Sequence, residues 1–171
     1  MDLAGGIRTR RSIRAFRDEP IPEDLLRELV ELANWAPSAG NLQCRAFLLV
    51  RDPAARRALA HAADQDFLEQ APAILVVCTD ASRAGKYGRR GRDLYMIQDA
   101  AAATENLVLA AHERGLGTVW VGAFNEELVR RTLRLPPHVR PVTLVPIGWP
   151  AETPAPSDRL PLAEVLHEEH W

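Results

Sequence analysis

The stretch from Leu94 to Arg114 limits the possible folds most, because its alanines and leucines occupy more than one face of a helix. A helix of this length is about 30 Å long. It must be buried on several sides, either at the centre of a domain or at a subunit interface. Asp99, Glu105 and His112 interrupt the apolar surface and argue against a membrane span. The sequence therefore predicts a core built around one central helix.

Length and composition indicate a single soluble domain covering residues 1–171. Apolar residues make up 47% and charged residues 26% of the chain, and the formal net charge is −2. This balance provides no basic field for nucleic acid or anionic lipid, so we expect neither partner. No apolar leader follows the first charges, which favours a cytoplasmic location. Cys44 and Cys78 are far apart and show no metal-binding spacing.

Apolar periodicity predicts an α+β fold without a regular βαβ alternation. Helices are predicted at 22–36, 54–63, 94–114 and 126–133. Strands are predicted at 47–50, 73–78, 118–121 and 142–147, of which 73–78 and 142–147 are central because they are continuously apolar. Residues 87–93 have the composition of a glycine- and arginine-rich loop, and 150–171 that of an arm lying across a surface.

The run IRTRRSIRAF concentrates guanidinium groups with one hydroxyl, Ser12, near the N-terminus. Arginine binds phosphate through paired donors, so this pattern suits a phosphate monoester. A solvated basic terminus is the alternative that charge alone favours.

Two further segments combine small residues with possible ligand donors. In WAPSAGNLQ, from Trp35 to Gln43, the small residues allow a ligand to approach the backbone and the amides offer donors and acceptors, although a plain helix cap and turn has the same composition. GLGTVWVGAF, from Gly115 to Phe124, has Trp120 where a dinucleotide fingerprint requires a third glycine, which excludes a Rossmann site. Its glycines fit close packing and a ligand role equally well.

Four blocks in this order resemble the nitroreductase family of flavoproteins: RRSIRAF, WAPSAGNLQ, LYMIQDAAAATENLVLAA followed by GLGTVWVGAF, and DRLPLAEVLH. The resemblance implies a nitroreductase-like α+β fold, in which helices surround a mostly antiparallel, mixed β-sheet and two chains form an intertwined homodimer. The arm at 150–171 would then pack on the partner subunit. It also implies FMN as cofactor, NADH or NADPH as electron donor, and ping-pong transfer to nitroaromatics, quinones or similar small acceptors.

The family motifs assign roles to residues of this chain. Arg10, Arg11, Ser12 and Arg14 match the motif that holds the FMN phosphate, with Arg14 also near the N1/O2 edge of the ring. The loop that covers the flavin of the other subunit is matched by Pro37, Ser38, Ala39, Asn41 and Gln43. The segment under the ring, whose backbone N–H faces N5, is matched by Val121, Gly122 and Ala123. Arg159 matches a second phosphate residue, and Gln65 resembles a residue at the pyrimidine end. The resemblance designates Arg14 and Gly122 as catalytic and implies no metal.

The chain departs from the family pattern at Gln43-Cys44-Arg45, where many relatives read NLQPW. This change predicts a more polar pocket edge with an oxidisable thiol. Other flavin chemistries remain open alternatives: reductive dehalogenation, enoate reduction, oxygen-dependent flavin fragmentation, or flavin binding without turnover. Residues 87–92 are expected near the mouth of the pocket.

Overall fold

The structure is a computed structural model that describes residues 2–171. Its helices are Leu3–Thr9 (α1), Glu23–Asn34 (α2), Pro53–Ala63 (α3), Phe67–Gln70 (α4), Gly88–Arg90 (α5), Met96–Glu113 (α6), Glu126–Leu133 (α7) and Leu162–Val165 (α8). Its strands are Arg45–Val50 (β1), Ala73–Asp80 (β2), Gly117–Thr118 (β3) and Val139–Gly148 (β4).

The four strands form one antiparallel sheet in the order β1-β2-β4-β3. All eight residues of β2 are buried, because strands pair with both of its edges and helices cover both of its faces. This arrangement confirms the predicted α+β fold and the central position of β2 and β4. The unpaired edge of β1 forms one border of the sheet.

Alternate residues of β2 point into two separate cores. Ile74 and Val76 pack with Leu59 of α3 on one face of the sheet. Leu75 packs with Leu107 of α6 and with residues of α2 on the other. Complete burial of one such side chain stabilises the folded state by about 1.5–3 kcal/mol. Because both cores contain several of them, apolar packing holds the sheet on both faces.

The long helix α6 packs on β2 and α2, which confirms the central helix predicted for 94–114. Gly115 ends it with a φ of 77°, a conformation that glycine adopts without steric cost. Leu109 and Ala110 are only partly buried, and they border a cleft of about 340 Å³ between α6, α1 and α2. One copy of the chain therefore leaves part of this helix uncovered.

The prediction of a loop at 87–93 is wrong, because this segment is helical. A 3-10 turn at Gly85–Tyr87 leads through α5 into a π-helical turn at Gly91–Tyr95, which continues as α6. A Cβ on Gly91 would lie 2.9 Å from the Cβ of Tyr87, so the glycine permits this close packing. Short α1 was not predicted, and the Asp2 carboxylate caps it by accepting the N–H of Gly5 at 2.6 Å.

The C-terminal residues 155–171 are exposed along their whole length. The exposed fraction of the side chain is 66% for Leu160 and 102% for Trp171, although both side chains are apolar. The segment contacts little of its own chain, as an arm would.

Candidate functional site

A cleft of about 190 Å³ brings together five of the predicted site residues. Its lining consists of Arg14, Gln65, Phe67 and the segment Val119–Ala123. The predicted positions come from three distant parts of the sequence, so their convergence is a property of the fold. Phe67 and Trp120 also line the cleft and were not predicted.

The backbone at Val121 is fixed by the neighbouring strand. Val121 and Leu144 exchange backbone hydrogen bonds of 3.0 and 2.9 Å, and the Thr143 hydroxyl donates to the Val121 carbonyl at 3.0 Å. Gly122 follows directly, and its N–H has no acceptor among residues 2–171. A Cβ on Gly122 would meet nothing closer than the Trp120 Nε1 atom at 4.0 Å. An unpaired N–H therefore belongs to an exposed residue that lines the cleft and follows a fixed backbone position.

Arg14 is positioned through its main chain. The Glu152 carboxylate accepts the N–H of Arg14 and, at 3.1 Å, the N–H of Ala15. The preceding Ile13 N–H donates to the Thr118 carbonyl at 2.9 Å. No acceptor for the Arg14 guanidinium lies within hydrogen-bond distance in the described chain, so this cation is available to a ligand. Glu152 was not predicted, because it is more than 130 positions away in the sequence.

A second cleft of about 250 Å³ is lined by other residues of the same N-terminal segment. Arg10, Arg11, His112 and Glu152 line it together with the backbone at Gly115–Thr118. Gly117 serves close packing, since a Cβ there would lie 2.8 Å from the Ile13 side chain. Two arginines in a concave site are the donors that a phosphate requires.

His112 adds a titratable group to this second cleft. The Thr9 hydroxyl donates to the Gly5 carbonyl at 2.8 Å and lies within hydrogen-bond distance, at 2.9 Å, of His112 Nε2. Partial burial lowers the pKa of His112 below its ordinary value, and Arg10 and Arg11 lower the pKa further. Burial and the two cations therefore both disfavour the protonated imidazole.

The predicted flavin-covering loop at 37–43 does not line either cleft of its own chain. Three hydrogen bonds hold its shape. The Ala39 N–H donates to the Asp99 carboxylate at 3.0 Å, and the Gln43 N–H donates to Ser38 Oγ at 3.0 Å. The Arg83 guanidinium donates to the Gln43 carbonyl at 3.1 Å. Gly40, Asn41 and Gln43 have φ values of 57°, 55° and 52°. Asn41, Gln43 and Pro37 are exposed, so their groups point away from the body of this chain.

The two residues that depart from the family pattern are both buried. The exposed fraction of Cys44 is 3%, and burial raises the pKa of its thiol, so the prediction of an oxidisable thiol at the pocket edge is wrong. The Arg45 guanidinium donates to the side chain and the carbonyl of Asn34 at the end of α2. Its Nη1 atom is buried without a hydrogen-bond partner among residues 2–171. Arg45 therefore ties the loop to α2 instead of making the pocket edge polar.

The remaining predicted residues lie outside the two clefts. Ser12 pairs with Thr118 in a parallel bridge, and its side chain lines neither cleft. Arg159 is exposed in the C-terminal arm, where it donates to the carbonyls of Ser157 and Asp158 at 3.3 and 2.8 Å. A single copy of the chain does not bring Arg159 to the other arginines.

Neither a metal-binding cluster nor a membrane-spanning helix is found among the described residues. Over positions 2–171, no three histidine, cysteine, aspartate or glutamate side chains cluster in a way that would hold a metal ion. None of the helices in this range is both long and apolar enough to cross a membrane.

The sequence model of the nitroreductase family matches residues 7–65 and 60–149 of the chain. The chain belongs to the nitroreductase family. A relative from Thermus thermophilus named NADH dehydrogenase is 41% identical over 92% of this chain and 91% of its own length. An oxygen-insensitive NADPH nitroreductase from Salmonella typhimurium is 34% identical over 94% of this chain and 71% of its own length.

Solved structures agree with this family assignment. The structure of B. megaterium NfrA2 superposes with a TM-score of 0.93 at 31% identity. The match covers 98% of this chain and 74% of the NfrA2 chain. A putative NADH dehydrogenase/NAD(P)H nitroreductase from Parabacteroides distasonis has a TM-score of 0.88 at 28% identity, with 98% of both chains covered. The predicted family and the predicted nitroreductase-like fold are both confirmed.

Proposed function

We propose that this nitroreductase-family protein is an FMN-dependent oxidoreductase that passes electrons from NADH or NADPH to nitroaromatics, quinones or similar small acceptors. The convergence of Arg14, Gln65 and Val121–Ala123 in one cleft carries the proposal. Relatives named FMN reductase from Bacillus subtilis, 33% and 31% identical to this chain, support the choice of cofactor.

The charges and hydrogen-bond donors of the two clefts fit FMN. An FMN molecule has an anionic phosphate at one end and a polar aromatic ring at the other. The cleft at Arg10 and Arg11 supplies cations for the phosphate, and the cleft at Arg14 and Gly122 supplies unpaired donors for the ring. The segment 9–14 contributes lining residues to both clefts, and we propose that one FMN molecule spans them, with its phosphate in one and its ring in the other. Gln65 belongs to the ring end in this arrangement, and Arg159 would join the phosphate end if the arm brought it there.

The protein's part in the reaction is to bind, orient and supply charge. Bound FMN would supply the redox chemistry by which electrons pass from the nicotinamide to the acceptor, and the two substrates would use one position in turn. The unpaired Gly122 N–H would hold the N5 edge and orient the ring. Arg14 would place a positive charge beside the N1/O2 edge, where negative charge develops on reduction.

The complete site requires a second copy of the chain. The exposed fraction of Trp35 is 84%, and it borders the cleft formed by α1, α2 and α6. An exposed apolar surface next to a half-covered central helix is typical of a subunit interface. In the proposed homodimer, the loop at 37–43 covers the partner's flavin and the arm at 150–171 packs on the partner subunit.

Anaerobic spectroscopy tests the proposed activity. The protein is loaded with FMN, mixed with NADH or NADPH without oxygen, and then mixed with a quinone or a nitroaromatic. We expect the flavin absorption to bleach with at least one nucleotide and to return with the acceptor. A flavin that stays oxidised with both nucleotides would make the protein a flavin carrier or sensor instead. Parallel double-reciprocal plots in steady-state assays are the expected sign of ping-pong transfer.

A further inference from the structure

A cluster of cations lies on the helical turns that replace the predicted loop. This cluster, called here the basic segment, consists of Lys86, Arg89, Arg90 and Arg92. All four side chains are exposed, in a protein whose net charge is −2. A local excess of one charge on a nearly neutral chain indicates a site for a ligand of opposite charge.

Few carboxylates neutralise the basic segment. Asp93 pairs with Arg89 at 3.0 Å, and the exposed fraction of that arginine side chain is still 90%. Arg90 stacks over Tyr95 and donates to its hydroxyl at 3.0 Å. Within residues 2–171, Lys86, Arg90 and Arg92 have no carboxylate at ion-pair distance. Their charge is therefore available to an anion from solution.

The basic segment is built as a firm support. Tyr87 and Tyr95 pack edge to face with their ring centres 5.3 Å apart. Gly91 is buried against Tyr87, and Ala84 and Met96 close the base of the segment. The four cations are consequently displayed from packed helical turns and not from a free loop.

Contacts connect this support directly to the loop at 37–43. The Tyr87 hydroxyl approaches Gly40 so closely that a Cβ there would lie 2.5 Å from it. Arg83, which precedes the basic segment, donates to the Gln43 carbonyl. In the dimer that we propose as the functional unit, the loop covers the partner's flavin. The basic segment then lies at the edge of that covered site.

We propose that the basic segment binds the phosphate groups of the nicotinamide donor and makes the protein prefer NADPH over NADH. This inference rests on the proposed function, because it places the nicotinamide at the flavin beneath the loop. A dinucleotide whose nicotinamide stacks there leaves its pyrophosphate and adenosine outside, beside the loop. NADPH carries an additional phosphate, so exposed cations select it by charge.

A triple variant tests the inference while the two arginines that contact the loop and Tyr95 remain. It removes the contact of Lys86 with the Tyr87 ring and the ion pair of Arg89 with Asp93. Lys86→Gln/Arg89→Gln/Arg92→Gln keeps Arg83 on the loop and Arg90 on Tyr95. Arg131→Gln is the matched control, since Arg131 is an exposed arginine paired with Glu127 at (i, i+4), as Arg89 is with Asp93. Calorimetry with FMN-loaded protein measures the Kd of NADP⁺, which binds without reducing the flavin. Anaerobic rapid mixing measures the dependence of flavin bleaching on NADPH and NADH concentration.

We expect the triple variant to raise the Kd of NADP⁺ about tenfold. The effect on NADH should be smaller, the limiting bleaching rate should be unchanged, and the control should behave like the wild type. In the wild type, added salt should weaken NADP⁺ binding, and this dependence should be reduced in the triple variant.

Three results would overturn the inference. The first is an unchanged Kd and salt dependence in a triple variant with full flavin content. The second is an equal loss of affinity in Arg131→Gln, and the third is an equal loss for NADPH and NADH in the triple variant. A wild-type protein that takes up no FMN, or whose flavin neither nucleotide bleaches, contradicts the proposed function itself. If the triple variant is unstable, a wild-type Kd for NADP⁺ that does not change with salt would overturn the inference.

Discussion

In the function that we propose, Arg14 is the side chain on which the redox role of the site depends most. Its backbone is held by Glu152 and by the contact between Ile13 and Thr118, while its guanidinium remains unpaired in the cleft. A cation in this position stabilises the reduced state of a flavin, because reduction adds negative charge to the pyrimidine edge. The backbone hydrogen bonds thus set the position of Arg14, and its guanidinium group provides the charge.

We expect Arg14→Ala to keep the fold but to lower the reduction potential of the bound flavin or to release the flavin. Loss of about 1.4 kcal/mol of stabilisation corresponds to about 30 mV for a two-electron couple. Equilibration with a reference dye measures the potential, and absorption measures the flavin content. Arg17→Ala is the control, because Arg17 is an exposed cation paired with Glu19 at 3.2 Å. Unchanged potential and flavin content in Arg14→Ala would contradict the assigned role.

His112 reports on the cleft that we assign to the phosphate. Burial and the neighbouring Arg10 and Arg11 lower the pKa of the free imidazole. A bound phosphate adds negative charge there, so FMN should raise the pKa of His112. Titration of the ring protons by NMR, with and without FMN, measures the shift. A pKa that FMN leaves unchanged would place the phosphate elsewhere.

The same histidine predicts how stability depends on pH without flavin. A folded-state pKa below the ordinary value means that the unfolded chain takes up the proton first as the pH falls. The contribution of neutral His112 is therefore complete above its unfolded pKa of about 6.5 and is lost as the pH drops towards the folded pKa. Denaturant melts from pH 8 to pH 5 should show a smaller loss of stability in His112→Gln than in the wild type. Equal losses would contradict this account.

Among the helices and strands, α6 has the largest structural role. Leu107 is completely buried between α6, α2 and the sheet. Leu107→Ala should lower the free energy of unfolding by about 2–5 kcal/mol, because it leaves a cavity in this core. Glu105→Ala, at an exposed position of the same helix, should have a much smaller effect. Chemical denaturation compares the two variants, and equal losses would show that α6 is not a core helix.

The loop at 37–43 depends on α6 for its shape. The exposed fraction of Asp99 is 4%, and its carboxylate accepts the Ala39 N–H. In Asp99→Ala the N–H loses its partner, so we expect a loss of about 1–3 kcal/mol of stability and faster release of FMN. Asp99→Asn keeps an acceptor oxygen and should restore much of the retention. If both variants release FMN at the wild-type rate, the loop has no role in retaining the cofactor.

Sequence patterns predict the regular elements well where burial produces them. The apolar run at 73–78 and the periodic segment at 126–133 correspond closely to β2 and α7. The pattern failed at residues 87–93, where glycines and arginines indicate a loop but packing of Gly91 on Tyr87 holds helical turns. Local composition does not contain this tertiary contact.

The site was predicted through motifs, and its supporting residues were missed for a related reason. Arg14, Gln65 and Val121–Ala123 meet in one cleft. Trp120, which completes its lining, and Glu152, which holds the backbone of Arg14, have no sequence signal. The carboxylate of Glu152 reaches Arg14 only because Phe16 pairs with Pro150 in a bridge. Such partners are set by the fold of the whole chain.

At the scale of the whole molecule, the proposed dimer explains surfaces that one chain leaves uncovered. Trp35, beside the cleft at α1, should be an important interface residue. Trp35→Gln should weaken association by about 2 kcal/mol or more, close to thirtyfold in the dimer Kd. Sedimentation measures this constant, with Arg57→Gln on α3 as the control at the opposite face of the sheet. A wild-type monomer, or a dimer insensitive to Trp35→Gln, would contradict the proposed interface.

The central claim is that residues of two neighbouring copies form a binding site for one FMN in each subunit. Titration of flavin-free protein with FMN, followed by fluorescence quenching and by sedimentation at the flavin wavelength, tests it most directly. The account predicts one FMN per chain, with a submicromolar Kd, sedimenting only with the dimer. Protein that remains colourless at micromolar FMN, or flavin that sediments with a monomer, would contradict it.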